Sequence, residues 1–343
     1  MKSPTSNQLI WVENTKIIAA FAVVILHVSG NLLAKASLGN LEWWAADIYN
    51  SFVRWCVPVF IMTSGFLLLK SNKTESISSF YRRKFPRILI PLIFWSLFYR
   101  SILAAKGLLS GEPISIMDFI RQFSSPYYHL WYLYMLAIAY LFIPFAKKLI
   151  RNLTTNETLT LCVLMFCLAA VNSALNAFLF NNNNVLTNWL LLSPPYLLAG
   201  HLIGNANHKK FTTPALLVFI LSGLLTAIGC YFLTRITNLD KGQYFYSYTS
   251  ITVIPMSIAI FYLLGSIKSY VLSKAITQKT AKISFGIYLA HPFFIQIMLN
   301  LGFDATLFNP IVSIPLIVLL LFVSAAISST IIDCIPHLKR IIG

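Results

Sequence analysis

Ten apolar runs of about 20 residues, parted by short polar stretches, leave this chain very few ways to fold. They lie at roughly 14–36, 46–69, 86–106, 129–147, 156–180, 188–204, 212–234, 247–267, 282–302 and 309–333. Coiled at ~1.5 Å per residue, such a run matches the ~30 Å hydrocarbon core of a bilayer. The runs lack the alternation of barrel strands, so helices must satisfy their backbone in lipid. Composition agrees: of 343 residues 57% are hydrophobic and 10% charged, too little charge for a soluble surface of this size. The expected fold is an all-α integral membrane protein, a bundle of about ten transmembrane helices forming a single domain over 1–343. The sixth run is the weakest, because Pro194-Pro195 breaks it. Lys16 and Ala34-Lys35-Ala36 loosely fit a cleaved leader, but His27 interrupts the apolar core between them, so retention is expected.

The net charge is +16. In a soluble domain it would suggest nucleic acid; here it records orientation and an anionic partner on one face, with no nucleic acid. With a cytoplasmic N-terminus, eighteen basic residues fall on inner segments and five on outer ones, and Lys16, Arg54 and Arg100 lie inside runs. An even number of spans then leaves both termini cytoplasmic. The Asn-x-Thr triplets at Asn72, Asn152 and Asn156 fall on inner loops and are discarded as glycosylation sites. Five cysteines lie in or beside apolar runs without metal-type spacing, and they read as small buried hydrophobes with no metal.

A charge at mid-span costs ~2.5–3.5 kcal/mol on insertion scales, so intramembrane ionisable groups face a cavity or a partner. Lys16 and His27 are eleven residues apart in the first run, about three turns, which puts them on one helix face ~16 Å apart. In the ninth run Ser284, Tyr288 and His291 follow i, i+4, i+7 and form one polar stripe. Pro292 disturbs the backbone bond toward Tyr288. Two imidazoles thus reach similar depth on two helices, the residue type suited to taking a proton from a hydroxyl. Alone, Lys16 could snorkel to the interface and each His could simply bond a neighbouring helix.

Arg82, Arg83, Lys84 and Arg87 open the third run, with Tyr81 and Phe85 among them. They suit either phosphates or a positive-inside anchor. Tyr127-Tyr128-His129-Leu130-Trp131-Tyr132-Leu133-Tyr134 enters the fourth run. It reads as an interfacial aromatic belt or as a sugar-stacking platform, which Trp43 and Trp44 could join.

Taken in order, these features resemble the acyltransferase family 3 membrane proteins, which O-acylate bacterial surface glycans. Lys16 and His27 fit that family's basic-x10-His signature. Val57-Pro58-Val59-Phe60-Ile61-Met62-Thr63-Ser64-Gly65-Phe66-Leu67 looks like its second-span motif, and Lys84-Phe85-Pro86-Arg87 like its basic-x-x-Arg element. Tyr128–Leu133, Ser284–His291 and the tail Ile335–Gly343 are similar to further family stretches. Glu13 and Lys16 stand where Asp and Arg are more usual, and both keep their charge. The nearest resemblance is to stand-alone transferases such as those acetylating enterobacterial common antigen. It implies acetyl-CoA as the cytoplasmic donor and a glycan or lipid-linked glycan as acceptor, at a bacterial inner membrane. His27 would be the general base or carry the acetyl, with His291 beside it. Lys16, Arg82, Arg83, Lys84 and Arg87 would hold the donor's phosphates. Arg54, Tyr128, His129, Trp131 and Tyr288 would meet the acceptor. A glycan exporter of the same family, or a transferase using another donor such as succinyl-CoA, are the alternatives.

Overall fold

A computed structural model describes residues 6–69, 76–111, 115, 117, 126–180, 185–206, 208 and 210–343. Lys2, Lys70, Lys73, Arg121, Lys209 and Asn72 lie outside the described residues. The helices are α1 Ser6–Leu33, α2 Leu41–Val53, α3 Cys56–Leu69, α4 Ile77–Lys84, α5 Pro86–Leu109 and α6 Trp131–Asn152. They continue with α7 Thr155–Leu175, α8 Val185–Ile203, α9 Thr212–Ile236, α10 Val253–Gly265, α11 Lys274–Asn300 and α12 Pro310–Cys334. No strand occurs among the described residues. Eight helical stretches among them are long and apolar enough to cross a membrane: 10–33, 41–69, 77–109, 131–152, 155–180, 212–236, 274–300 and 310–334. The fold is that of an all-α membrane protein.

Helix starts follow local chemistry. Asn40 accepts from Trp43 N at 2.7 Å to open α2, and Thr154 with Glu157 forms a capping box for α7. Asn309 caps α12, with Pro310 in the first turn where its missing N–H costs nothing.

Three runs differ from expectation. The second is broken at Arg54-Trp55 between α2 and α3. Pro58 has no N–H for the Arg54 carbonyl, and its ring crowds that oxygen. Trp55 Nε1 donates instead to Phe52 O at 2.6 Å. The sixth run, expected to break at Pro194-Pro195, is a continuous helix. Pro194 and Pro195 have no N–H for the Leu190 and Leu191 carbonyls, a loss tolerated where neighbouring helices pack around the backbone; α7 packs there, with Cys162 Sγ donating to Pro195 O at 3.5 Å. The eighth run is helical only over Val253–Gly265, because residues 243–252 form a 3-10 turn and bends. Those bends line cavities described below.

Lipid gives helices no hydrophobic reason to associate, so close packing of small residues must do so. Gly65 on α3 and Gly200 on α8 show this. A Cβ at Gly65 would stand 2.1 Å from Leu197 O, and one at Gly200 would stand 1.9 Å from Met62 O. The two backbones touch.

Contacts also sort the loops into two ends. Asn14, low on α1, donates to Ser269 O at 2.8 Å and accepts from Val271 N at 3.2 Å. Trp11 packs on His208, with ring centres 6.0 Å apart. At the other end of α1, Lys35 pairs with Asp304 at 3.7 Å. Hydrogen bonds from Thr306 hold that carboxyl below its ordinary range. Gly39 there abuts the Tyr231 ring.

Gly200→Ala should lower the melting temperature sharply, since overpacking costs ~1–3 kcal/mol even where neighbours can yield, and here the neighbour is backbone. A scanning-fluorimetry melt in detergent checks this; an unchanged midpoint would mean the helices part without cost.

Candidate active site

The Tyr288 carbonyl is where the site begins. In an unbroken helix it would accept from the N–H of residue 292, but residue 292 is proline. α11 nevertheless continues past it as one helix. The freed carbonyl accepts from His291 Nδ1 at 2.8 Å, with Ile287 O at 3.3 Å from the same nitrogen. A proton on Nδ1 leaves Nε2 as a lone-pair acceptor. His291 is fully buried, and Nε2 has no hydrogen-bond partner.

His27 of α1 faces it, with ring centroids 5.1 Å apart and planes 33° apart. His27 is only half-buried. Its register is set one turn on. Asn50 of α2 donates to Leu26 O at 2.9 Å and to Ser29 Oγ at 3.0 Å, tying α2 to α1 on either side of His27. Tyr128 closes edge-on against His27 at 5.2 Å and is itself half exposed.

His129 is the third imidazole, 5.8 Å from His291 and buried. Its backbone carbonyl accepts a short hydrogen bond from Tyr288 Oη, which spends that hydroxyl. Both His129 ring nitrogens lie outside hydrogen-bond geometry. Tyr99 packs edge-on to His129 at 4.9 Å, and its hydroxyl donates to Leu289 O at 2.7 Å. Tyr127 stacks on Tyr99 with centroids 4.5 Å apart. Three helices and the turn before α6 thus enclose an aromatic chamber in which His27 is half-buried and the Nε2 of His291 is unspent.

Toward the Leu33 end the chamber adjoins a cavity of about 390 Å³, lined by Gly30, Leu33, Arg54, Tyr246 and Tyr248 among others. Gly30 is three residues beyond His27, hence on the same side of α1. Arg54 is held over the Tyr246 ring, its guanidinium carbon 4.1 Å from the centroid, with Nη1 3.4 Å from Tyr246 O. Its Nε is buried without a partner. The Tyr246 hydroxyl donates a short hydrogen bond to Asp47, which is fully buried on α2. Burial, reinforced by the Asp47 carboxylate, pushes the Tyr246 phenol well above its ordinary value, so it remains a donor. Asp47, Asn50 and Tyr246 were not singled out in the sequence; Asp47 and Tyr246 are partners 199 residues apart, which no local spacing reveals.

Toward the other end, Lys16 is half-buried on α1, with Glu13 one turn earlier as its electrostatic neighbour. Arg82, Arg83 and Arg87 are exposed and Lys84 half-buried, at the junction of α4 and α5. Between that junction and Tyr288 lies the segment Leu338–Ile342. Trp95 Nε1 donates to Ile341 O at 2.9 Å, and Gly343 packs between Phe285 and the Arg87 carbonyl. Trp131 stands apart from the imidazoles, stacked on Tyr248 at 5.7 Å. The structure therefore gathers His27, His129, His291, Tyr128 and Tyr288 in one chamber. It leaves Arg54 and Trp131 on the Leu33 side, and the basic cluster on the far side of the tail.

A multi-pass helical membrane protein with imidazoles clustered inside the bundle is the class this geometry defines. The sequence matches the acyltransferase-domain family, acyltransferase family 3, over residues 9–333, and the chain belongs to it. The chain is also similar to "Nodulation protein NolL" of Sinorhizobium fredii (strain NBRC 101917 / NGR234), 28% identical over 111 residues. That stretch covers 32% of this chain and 30% of NolL. No solved structure matches.

Pro292→Ala restores an N–H that competes with His291 Nδ1 for the Tyr288 carbonyl. Acyl transfer should fall about tenfold or more, within the ~10²–10⁴ that a positioned acid–base group contributes, while the melting temperature holds or rises. Turnover equal to wild type would remove the tautomer argument.

Proposed function

We propose that the protein is an O-acetyltransferase of the bacterial inner membrane, with both termini cytoplasmic. Acetyl-CoA approaches from the end bearing Lys16 and the α4–α5 cluster. A hydroxyl of a cell-envelope glycan, free or lipid-linked, approaches from the Leu33 end. The observation that carries this reading is the pairing of His27 with His291, ring centroids 5.1 Å apart, about one turn along α1 from Gly30 of the Arg54 cavity.

In this reading His27 takes the proton as the sugar oxygen attacks the thioester carbonyl. A carbon–oxygen bond forms, the carbon–sulfur bond breaks, and the imidazolium returns its proton to the departing thiolate. His291, with Nδ1 committed to the Tyr288 carbonyl, offers Nε2 to steady the protonated partner. Exclusion of water by the surrounding aromatics strengthens each of these interactions and protects the thioester from hydrolysis. Lys16 and Arg82, Arg83, Lys84 and Arg87 hold the donor's phosphates, Arg87 in a bidentate fork that Lys cannot supply. Arg54 and Trp131 meet the acceptor. Tyr128 closes on His27. Tyr288 and His129 serve through the chamber they build, since the Tyr288 hydroxyl is already bound to His129.

His27→Ala should abolish transfer of labelled acetyl from acetyl-CoA to envelope glycan in membranes, with the protein still folded by gel filtration; retained transfer would remove His27 from the mechanism. Lys16→Ala and Arg87→Ala should each weaken acetyl-CoA binding about tenfold and flatten its salt dependence, because a screened phosphate contact is what each loses. Isothermal titration at two salt concentrations measures this, and unchanged affinity in both variants would return these cations to a role in topology.

A further inference from the structure

A second cavity lies beside the chamber rather than in it. It holds about 570 Å³ at the Leu33 end and is walled by the ends of α7 and α8, the start of α6 and the 238–249 segment. Its chemistry is distinctive. Trp131 and Trp189 give aromatic faces, and Asn176, Asn188, Gln243 and Ser247 give amides and a hydroxyl. Asp240 and Lys241, one of each sign, leave it without net charge. A membrane helix end built only for anchoring needs aromatic rings but no ring of amides. A fatty acyl chain would be poorly served by such polar walls, and a nucleotide would find one cation for several phosphates.

The polar groups are also arranged, not merely present. Asn188 Oδ1 accepts from Asn172 Nδ2 at 2.9 Å and from Asn176 Nδ2 at 3.3 Å, which leaves the Asn188 N–H groups to donate elsewhere. Ser247 Oγ lies 3.0 Å from Ser173 Oγ and 3.2 Å from Thr249 Oγ1, a chain of hydroxyls that can each turn to donate or accept. Aromatic faces for C–H-rich ring surfaces, with amides and hydroxyls at their edges, are what a neutral sugar needs. The volume falls within the ~300–1,000 Å³ of ordinary ligand sites and exceeds what one sugar ring fills.

The cavity is continuous in its lining with the Arg54 cavity, since Gln243, Ser247 and Tyr248 border both. The Arg54 cavity in turn reaches Gly30, one turn from His27. A chain of sugars entering through the amide-lined space would therefore lead its terminal unit toward the imidazoles.

We propose that this cavity is a subsite for a neutral stretch of the acceptor glycan, so that the enzyme acts on an oligosaccharide and discriminates against a single sugar. The inference rests on the transferase reading above. Binding energy gathered by the remote units lowers the KM of longer acceptors without changing the chemical step.

The test uses the producing cell's own envelope glycan, intact and cut into fragments of about one to four units, with labelled acetyl-CoA and the full-length protein in membranes. In the wild type the apparent KM should fall about tenfold or more from the single unit to the longer fragments, with kcat within about twofold. Trp189→Ala and Asn188→Ala should each reduce that ratio to about threefold or less. Trp189→Tyr, which keeps an aromatic face, should restore most of it. Leu225→Ala, on the lipid-facing side of α9, should leave it intact. A wild-type KM independent of length overturns the subsite while the transferase reading stands, as does length dependence that survives in both alanine variants. If even the intact glycan takes no acetyl, the transferase reading fails and the subsite falls with it.

Discussion

The chamber depends on one carbonyl that has lost its usual partner. Inside a bilayer an unpaired backbone oxygen costs several kcal/mol, and the chain cannot recover that from water. Pro292 creates such an oxygen at Tyr288, and His291 Nδ1 answers it at 2.8 Å. The same bond fixes the imidazole's orientation and leaves Nε2 unspent in the interior. One hydrogen bond thus both satisfies a buried carbonyl and orients the imidazole.

The same economy recurs around it. Asn50 holds α2 to α1 through Leu26 O and Ser29 Oγ, and in doing so fixes His27 opposite His291. Pro58 breaks the second run where Arg54 must turn toward Tyr246. Gly65 against Leu197 and Gly200 against Met62 let the backbones of α3 and α8 touch beside the two prolines that α8 carries. Each is a departure from regular helix packing.

Much of this was legible in the sequence. The apolar runs located the helices, because lipid permits so few alternatives. The Lys16–His27 interval and the Ser284–Tyr288–His291 stripe put two imidazoles at one depth, since helical periodicity converts spacing directly into geometry. The same periodicity could not show that Tyr288 spends its hydroxyl on His129, or that Asp47 finds Tyr246, because those pairings join helices far apart in the chain. Nor did proline counting suffice. Pro194 and Pro195 argued for a break that helix packing repairs, whereas Pro58 marked a break that drew no attention. The aromatic run at 127–134 was split by the fold: Tyr128 and His129 joined the imidazoles, while Trp131 turned to Tyr248 and the amide-lined cavity.

The central claim is that two substrates arriving from opposite ends of the bundle meet at His27. Reconstituting the protein in one orientation in sealed proteoliposomes tests it most directly, with labelled acetyl-CoA confined to the face bearing Arg87 and the glycan confined to the other. The account predicts acetylated glycan in that arrangement. Glycan that stays unlabelled there, yet is acetylated once donor and acceptor share a face, would contradict it.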